Sequence, residues 1–462
     1  MNNVSNVLNN NYYARWLRDD EILGTHQIVT YGLSDTIEES GLPIGTTKNK
    51  MIVDVSTSNN LIIGSTGSGK TQIVVLPMIY MASQAGESVV VKDIKGELFG
   101  STASYFKEQD YKIITLDFHE PADGNCFNPL TLIYKLYKKG KKDEAVNLLE
   151  DIAKTIMQDN GKGDPFWSNS ASAYFVGLAL SLIENAKEEE VNFNSIHYLT
   201  TLGDDELLDE YFSRLDKNGT IYKTIASIYL APPETKSSII SVLNQRLALF
   251  TSRENLSSML SKTDFDIMDV NNDKYAIYLI TSPDSRQVDI LANIFIQEIH
   301  YIMLNTKRDK YVNIILDAFD ENRCPIDNFA NMLDNARGNK MRYTLLIKGF
   351  LNLKETYGLE ELELIKYNCA NILYLLSTEP ETLEFISEYC GNKDNDSRLV
   401  SVEALKRMEI WSAILIKSRL MPFASKLVPF YQIGIEPVER LELKTRRKSE
   451  IKIFDLNKFL SK

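Results

Sequence analysis

The chain has 462 residues, 44% hydrophobic and 25% charged, the composition of a globular protein long enough for two or three domains with sizeable cores. A formal net charge of −12 excludes a uniformly basic nucleic-acid coat, although an acidic exterior can still enclose a basic lumen. The four cysteines, Cys126, Cys324, Cys369 and Cys390, form no Cys-x-x-Cys pair, which points to a reducing compartment and to small buried apolar side chains.

The polar start MNNVSNVLNN lacks the apolar segment of a signal peptide. Residues 1–50 read as an arm rich in Asn and Thr, with a Gly-Leu-Pro-Ile-Gly turn at 41–45, leading into a strand. Strand signals then recur at Leu61–Ile63, Ser88–Lys92 and Lys112–Asp117, alternating with helical stretches, the pattern of a parallel sheet covered on both faces. After Asn128-Pro129-Leu130 the pattern turns helical as far as 262, so 132–262 is expected to be an all-α domain. Its acidic and basic runs fit solvated helix faces, with a partner surface as the alternative. No run reaches the roughly 18 apolar residues of a membrane span, and the nearest, Ala173–Ile183, reads as a buried helix. Strands return at Tyr275–Thr281, Val312–Asp317, Tyr343–Ile347, Ile372–Leu376 and Trp411–Lys417. The expected fold class is α/β, mainly a parallel sheet with helices on both faces (51–131 and 263–440), interrupted by the all-α domain. A basic tail, 441–462, closes the chain, with Lys444–Lys452 as a candidate DNA contact.

The chemistry is concentrated in two short stretches. Gly64, Ser65, Thr66, Gly67, Ser68, Gly69, Lys70 and Thr71 match Gly-x4-Gly-Lys-Ser/Thr between a strand and a helix. Glycines let successive N–H groups face phosphates, and the following helix adds its N-terminal dipole. Lys70 is expected to reach the β- and γ-phosphates of ATP, and the Thr71 hydroxyl to help hold Mg2+. The second stretch, IILDAFDE (314–321), ends a strand in Asp317, the expected carboxylate on the Mg2+ side. ATPases with a strand added between these two motifs ordinarily carry a glutamate next, to polarise water. Here that residue is Ala318, whose methyl group does no proton chemistry. Asp320 or Glu321 would need a different turn to substitute, so the expectation is a chain that binds ATP and hydrolyses it poorly.

In order along the chain, YARW (13–16), GSTGSGKT, VVVKDIKGELF (89–99), CFNPL (126–130), DPFWSNSA (164–171) and TDFDIMDV (263–270) are followed by LDAF, LLIKGFLNLKETYG (345–358) and LMPFASKLVPFY (420–431). In these pieces the chain resembles the type IV secretion coupling proteins, the TraG-type ring ATPases of bacterial conjugation. The resemblance implies a RecA-like P-loop NTPase domain carrying the all-α domain, assembled as a homo-oligomer, a hexameric ring. It would recruit a relaxase–DNA complex or an effector protein and use ATP to feed it to type IV secretion channel components. It places Arg337 where the family has an arginine reaching the neighbouring subunit's γ-phosphate, so Lys70, Asp317 and Arg337 are the candidate catalytic residues. A solvated helix-end arginine is the alternative reading of Arg337, and Arg342 competes for the role.

There are three departures from the family pattern: Ala318 for glutamate, Lys348 for glutamine on the next strand, and no transmembrane helices at the start. The implied location is cytoplasmic, or the cytoplasmic face of the bacterial inner membrane through a partner or a missing anchor. The competing functions are a non-hydrolysing ATP-gated scaffold for substrate docking and a DNA-pumping ring ATPase of another branch, which lacks a helical insertion after CFNPL. Asp93, Lys95 and Glu97 are read as support for the site, lumen residues or a structural salt-bridge cluster. His119 and His197 stand alone and are assigned no role.

Overall fold

The computed structural model describes residues 13–461 apart from 25–27, 32–34, 48–49, 159–163, 202–204, 270–273, 283–285, 437 and 447–449. Its centre is a nine-stranded sheet of β4 (Asn60–Gly64), β5 (Ser88–Ile94), β6 (Lys112–Asp117), β7 (Tyr275–Thr281), β8 (Val312–Leu316), β9 (Met341–Ile347), β10 (Asn371–Leu376), β11 (Ser412–Lys417) and β12 (Phe423–Lys426). The spatial order is β12-β11-β10-β4-β9-β8-β5-β7-β6. Every neighbouring pair from β10 to β6 is parallel, whereas β11 and β12 add an antiparallel edge. These strands are apolar on both sides because helices cover both faces. Leu61 and Ile63 enter one core, while Ile62 between them enters the other. Strand β9 lies between β4 and β8, so the ends of all three converge at one edge of the sheet.

The arm departs from expectation. Where the sequence suggests an irregular lead into one strand, β1 (Ile28–Tyr31), β2 (Leu42–Thr47) and β3 (Lys50–Asp54) form a three-stranded antiparallel sheet in the order β1-β3-β2. Its Asn- and Thr-rich text hides the apolar alternation, but Leu42, Ile44 and Ile52 are buried against the main sheet's second core. The first twelve residues lie outside the described set.

Between β6 and β7 the described elements are helical, beginning with Thr131–Lys138 and ending with Glu254–Met259. Their core is continuous with that of one sheet face, so this unit grows out of the sheet's own packing. Asn128 holds its root together. Its N–H donates to Thr263 Oγ1 (3.0 Å) where the chain returns, and its Nδ2 donates to the Val191 carbonyl (2.7 Å). That accounts for the CFNPL motif as a structural clamp. The helix Pro165–Asn185 is long and apolar enough, by length and composition, to cross a membrane. However, 61% of its most apolar window is buried here, with Tyr174, Phe175 and Ile183 fully enclosed among the neighbouring helices. The four cysteines are buried and form no disulfide.

The C-terminal segment is a strap laid across the molecule. Tyr105 Oη and Ser104 Oγ on the helix Glu97–Glu108 donate to the carbonyls of Glu436 and Glu439. The Arg446 N–H donates to Ala122 O (2.9 Å), and its guanidinium donates to Pro121 O and Cys126 Sγ. Further on, Asn192 Nδ2 donates to Lys452 O (2.9 Å) and the Phe454 N–H donates to Ser195 Oγ (3.0 Å), on the helical unit. Arg446 therefore serves the fold, and Arg447 and Lys448 lie outside the described residues. A Phe454→Ala substitution, at a side chain only 6% exposed, is expected to cost about 3 kcal/mol in a denaturant titration.

Candidate nucleotide site

The phosphate loop follows β4 at the centre of the sheet. Gly67 and Gly69 have φ of +79° and +90°, values that glycine adopts without strain. A Cβ added at Gly67 would meet nothing within 4 Å, so the loop's concave backbone is open at that point. The Ser65 N–H donates to Leu376 O (2.8 Å), fastening the loop to β10, and the Ser68 N–H donates to Ser65 O (3.1 Å). The helix after the loop opens with a wide turn over Thr71–Val75, closed by the Leu76 N–H donating to Thr71 O. Pro77 explains this turn. Having no N–H, it cannot complete an ordinary bond to the carbonyl four residues back, and a π-type turn absorbs the mismatch.

Lys70 is partly buried and donates to the carbonyls of Gly64 and Ser65, the latter at 3.4 Å. Burial lowers its pKa, and the carboxylates of Asp317, Asp320 and Glu321 oppose the shift. Asp317 directly follows β8, and its N–H donates to Lys92 O (3.2 Å). Burial raises its pKa, while Lys70 and the Ala318 N–H, which donates to Oδ1 at 3.0 Å, pull it down. Nearby, Lys92 and Asp289 form a buried ion pair of 3.0 Å beneath the sheet edge.

The turn after Asp317 is unusual. Ala318 sits in the left-handed region (φ 46°, ψ 49°), and Phe319–Glu321 make a single 3-10 turn. Asp320 is buried, with Oδ2 accepting the Lys348 N–H at 3.0 Å and Oδ1 lacking a partner among the described residues. Burial lifts its pKa to about 6, against the pull of that N–H. Glu321 is ion-paired with Lys348, whose pKa this contact raises. Lys348 follows β9, so the lysine in the family's glutamine position lies between the phosphate loop and Asp317. Both substitute carboxylates are thus engaged, Glu321 by the lysine ammonium and Asp320 by the backbone of the same residue.

Arg342 does not compete for a transition-state role. It is 2% exposed, pairs with Glu87 at 2.6 Å, donates to Ser40 O and stacks over the Tyr311 ring at 4.0 Å. Arg337 is exposed in the turn before β9. The seven residues of β9 put it about 20 Å from the edge that carries Lys348, too far for its own chain's phosphate loop. Asp93 is also structural. Fully buried, it accepts the N–H groups of Leu98 (3.2 Å) and Phe99 (2.7 Å) at the start of the helix Glu97–Glu108, and burial lifts its pKa to about 7. His197 Nδ1 is hydrogen-bonded to Thr251 Oγ1 (2.7 Å).

The residues present fit a bound nucleotide. Ser68 Oγ, in the loop, is a buried hydroxyl without a partner among the described residues, a costly state that donating to a phosphate oxygen would relieve. Sequence reading missed Asp320's burial, the Lys348–Glu321 pairing and the contact of Trp411 with the loop. None leaves a mark in local pattern, because each joins segments far apart in the chain.

Sheet order, loop and helical insertion define a RecA-like P-loop NTPase fold with an all-α domain set into it. The chain belongs to the family described as Type IV secretory system Conjugative DNA transfer, whose profile matches residues 34–410. It is 22% identical over 350 residues to the protein VirD4 of Rhizobium rhizogenes (74% of this chain, 50% of that one) and 23% identical over 355 residues to VirD4 of Rhizobium radiobacter (74% and 49%). It spans about half the length of these curated relatives. Among solved structures it is similar to the plasmid coupling protein TrwB in complex with ADP and Mg2+ (TM-score 0.68, 14% identity, 93% of this chain and 96% of that one). It is also similar to the unbound bacterial conjugative coupling protein TrwBdeltaN70 (TM-score 0.66, 14% identity, 93% and 96%). The resemblance read from the sequence is therefore a true family relation, that of the type IV coupling proteins.

Proposed function

We propose that this chain is the nucleotide-binding subunit of a hexameric coupling-protein ring, which recruits a relaxase–DNA complex or an effector protein to a type IV secretion channel and hydrolyses ATP poorly. The observation that carries the reading is the convergence, at one sheet edge, of the phosphate loop, Asp317 and a lysine-blocked acidic turn. Gly64–Thr71 would hold the phosphates, with Thr71 and Asp317 on the Mg2+ side. Bound ATP supplies the phosphoanhydride whose cleavage powers the family's motors. Lys70 would leave its two loop carbonyls and place its ammonium on the phosphates. Ala318 offers no acceptor for a proton of water, and Lys348 neutralises the half-buried carboxylate of Glu321 in the same turn. Arg337, exposed at the opposite edge, would serve the neighbouring subunit's site, where it would stabilise developing charge.

Equilibrium binding of labelled ATP with Mg2+ tests the core of this reading. The chain is expected to bind, and Lys70→Ala to bind at least about tenfold more weakly, the loss of a charge-assisted contact. A chain that binds no ATP at millimolar concentration overturns it. Cargo class is read from salt: steeply salt-dependent DNA binding favours the relaxase–DNA complex, and its absence favours protein.

A further inference from the structure

We propose that Trp411 belongs to the nucleotide site, its indole forming the platform on which the purine base of a bound nucleotide stacks. The inference rests on the nucleotide-binding reading above and names a residue that no motif contains. Gly69 brings the two together. A Cβ placed on it would lie 2.3 Å from Trp411 Cζ3, 2.8 Å from Cε3 and 3.4 Å from Cη2, so the six-membered ring of the indole rests directly on the phosphate loop. Topology puts it there. Strand β11 runs antiparallel to β10, with Tyr374 opposite Ile414, while β10 runs parallel to β4, with Tyr374 opposite Ile63. The start of β11 therefore meets the ends of β4 and β10, beside the loop.

Trp411 is held there against its own preference. Its φ is +69°, a left-handed backbone that is costly for a bulky side chain. The position is fixed from both sides: the Leu427 N–H donates to Trp411 O (2.8 Å), the Ser412 N–H donates to Glu409 O (3.1 Å), and Lys426 pairs with Glu409 (2.6 Å). Strain of this kind persists where surrounding structure over-determines it, and such residues cluster at ligand sites. The ring is only partly buried, packed at the margin of the second core, so it retains surface beside the loop. The loop itself supplies N–H groups suited to phosphates, whereas a base needs an apolar π-face, and Trp411 supplies one in contact with the loop.

Binding of two probes, ATP and inorganic tripolyphosphate, both with Mg2+, separates the base from the phosphates. Trp411→Ala is expected to weaken ATP about 5- to 100-fold while tripolyphosphate stays within about twofold, and Trp411→Phe to keep most of the ATP affinity. In a Trp16→Phe, Trp167→Phe chain, which leaves Trp411 as the single tryptophan of three, ATP is expected to quench emission much more than tripolyphosphate does. This second readout decides the matter if Trp411→Ala does not fold. ATP and tripolyphosphate weakened equally, or ATP binding unchanged with no differential quenching, overturns the base platform and leaves the phosphate site standing. Failure of the unmutated chain to bind either probe overturns the nucleotide reading, and the platform with it.

Discussion

A chain carrying both Ala318→Glu and Lys348→Gln is expected to turn over ATP at least about a hundredfold faster than the unsubstituted chain, the usual gain from a positioned general base. The size of the effect depends on making both changes. Lys348 sits between the phosphate loop and Asp317 and already holds Glu321. With Ala318→Glu alone, that ammonium would have two carboxylates within its turn and would draw the new one away from water. Glutamine at 348 removes the charge and restores a side chain able to accept as well as donate a hydrogen bond. The left-handed backbone at 318 adds no new cost, since alanine already bears the Cβ penalty there. Steady-state phosphate release from the four chains of the cycle is the measurement. A double substitution well above both singles supports the impaired motor. No turnover in any of the four supports a nucleotide-gated scaffold, and rapid turnover by the unmodified chain removes Ala318 as a block. In the active background, Arg337→Ala is expected to cancel the gain if that arginine serves the neighbouring subunit.

Glu87→Ala is expected to destabilise the protein by about 3–5 kcal/mol, read as a lowered midpoint of chemical unfolding. Glu87 is fully buried and binds three elements at once. Its carboxylate pairs with Arg342 on β9 (2.6 Å), accepts from Asn313 Nδ2 on β8 (2.8 Å) and accepts the Ser40 N–H from the N-terminal arm (3.0 Å). Removing it leaves the Arg342 guanidinium buried without its counter-charge, which costs far more than losing an exposed pair. Glu87→Gln keeps the shape and some hydrogen bonds, so its loss should be smaller but still clear. The double Glu87→Gln, Arg342→Met removes both charges and should recover part of the deficit. If the double chain is as unstable as Glu87→Ala, packing and not the isolated charge governs the site.

The sequence by itself determined the phosphate loop, the seven parallel strands of the main sheet, the helical stretch after Asn128 and the family. Each rests on a signal carried by neighbouring residues: glycine spacing, apolar runs ended by turn residues, 3.6-residue periodicity, or motifs in fixed order. Ala318 could also be read directly, because the motif around it sets its position. Only the tertiary structure decided that the arm is a sheet, that the basic tail is a strap, that Arg342 is internal, and that Lys348 closes on Glu321 while Trp411 lies on Gly69. Those outcomes depend on which distant segments the sheet order brings side by side. Local periodicity reports whether a residue faces a core, but it does not say which residue of another strand waits there.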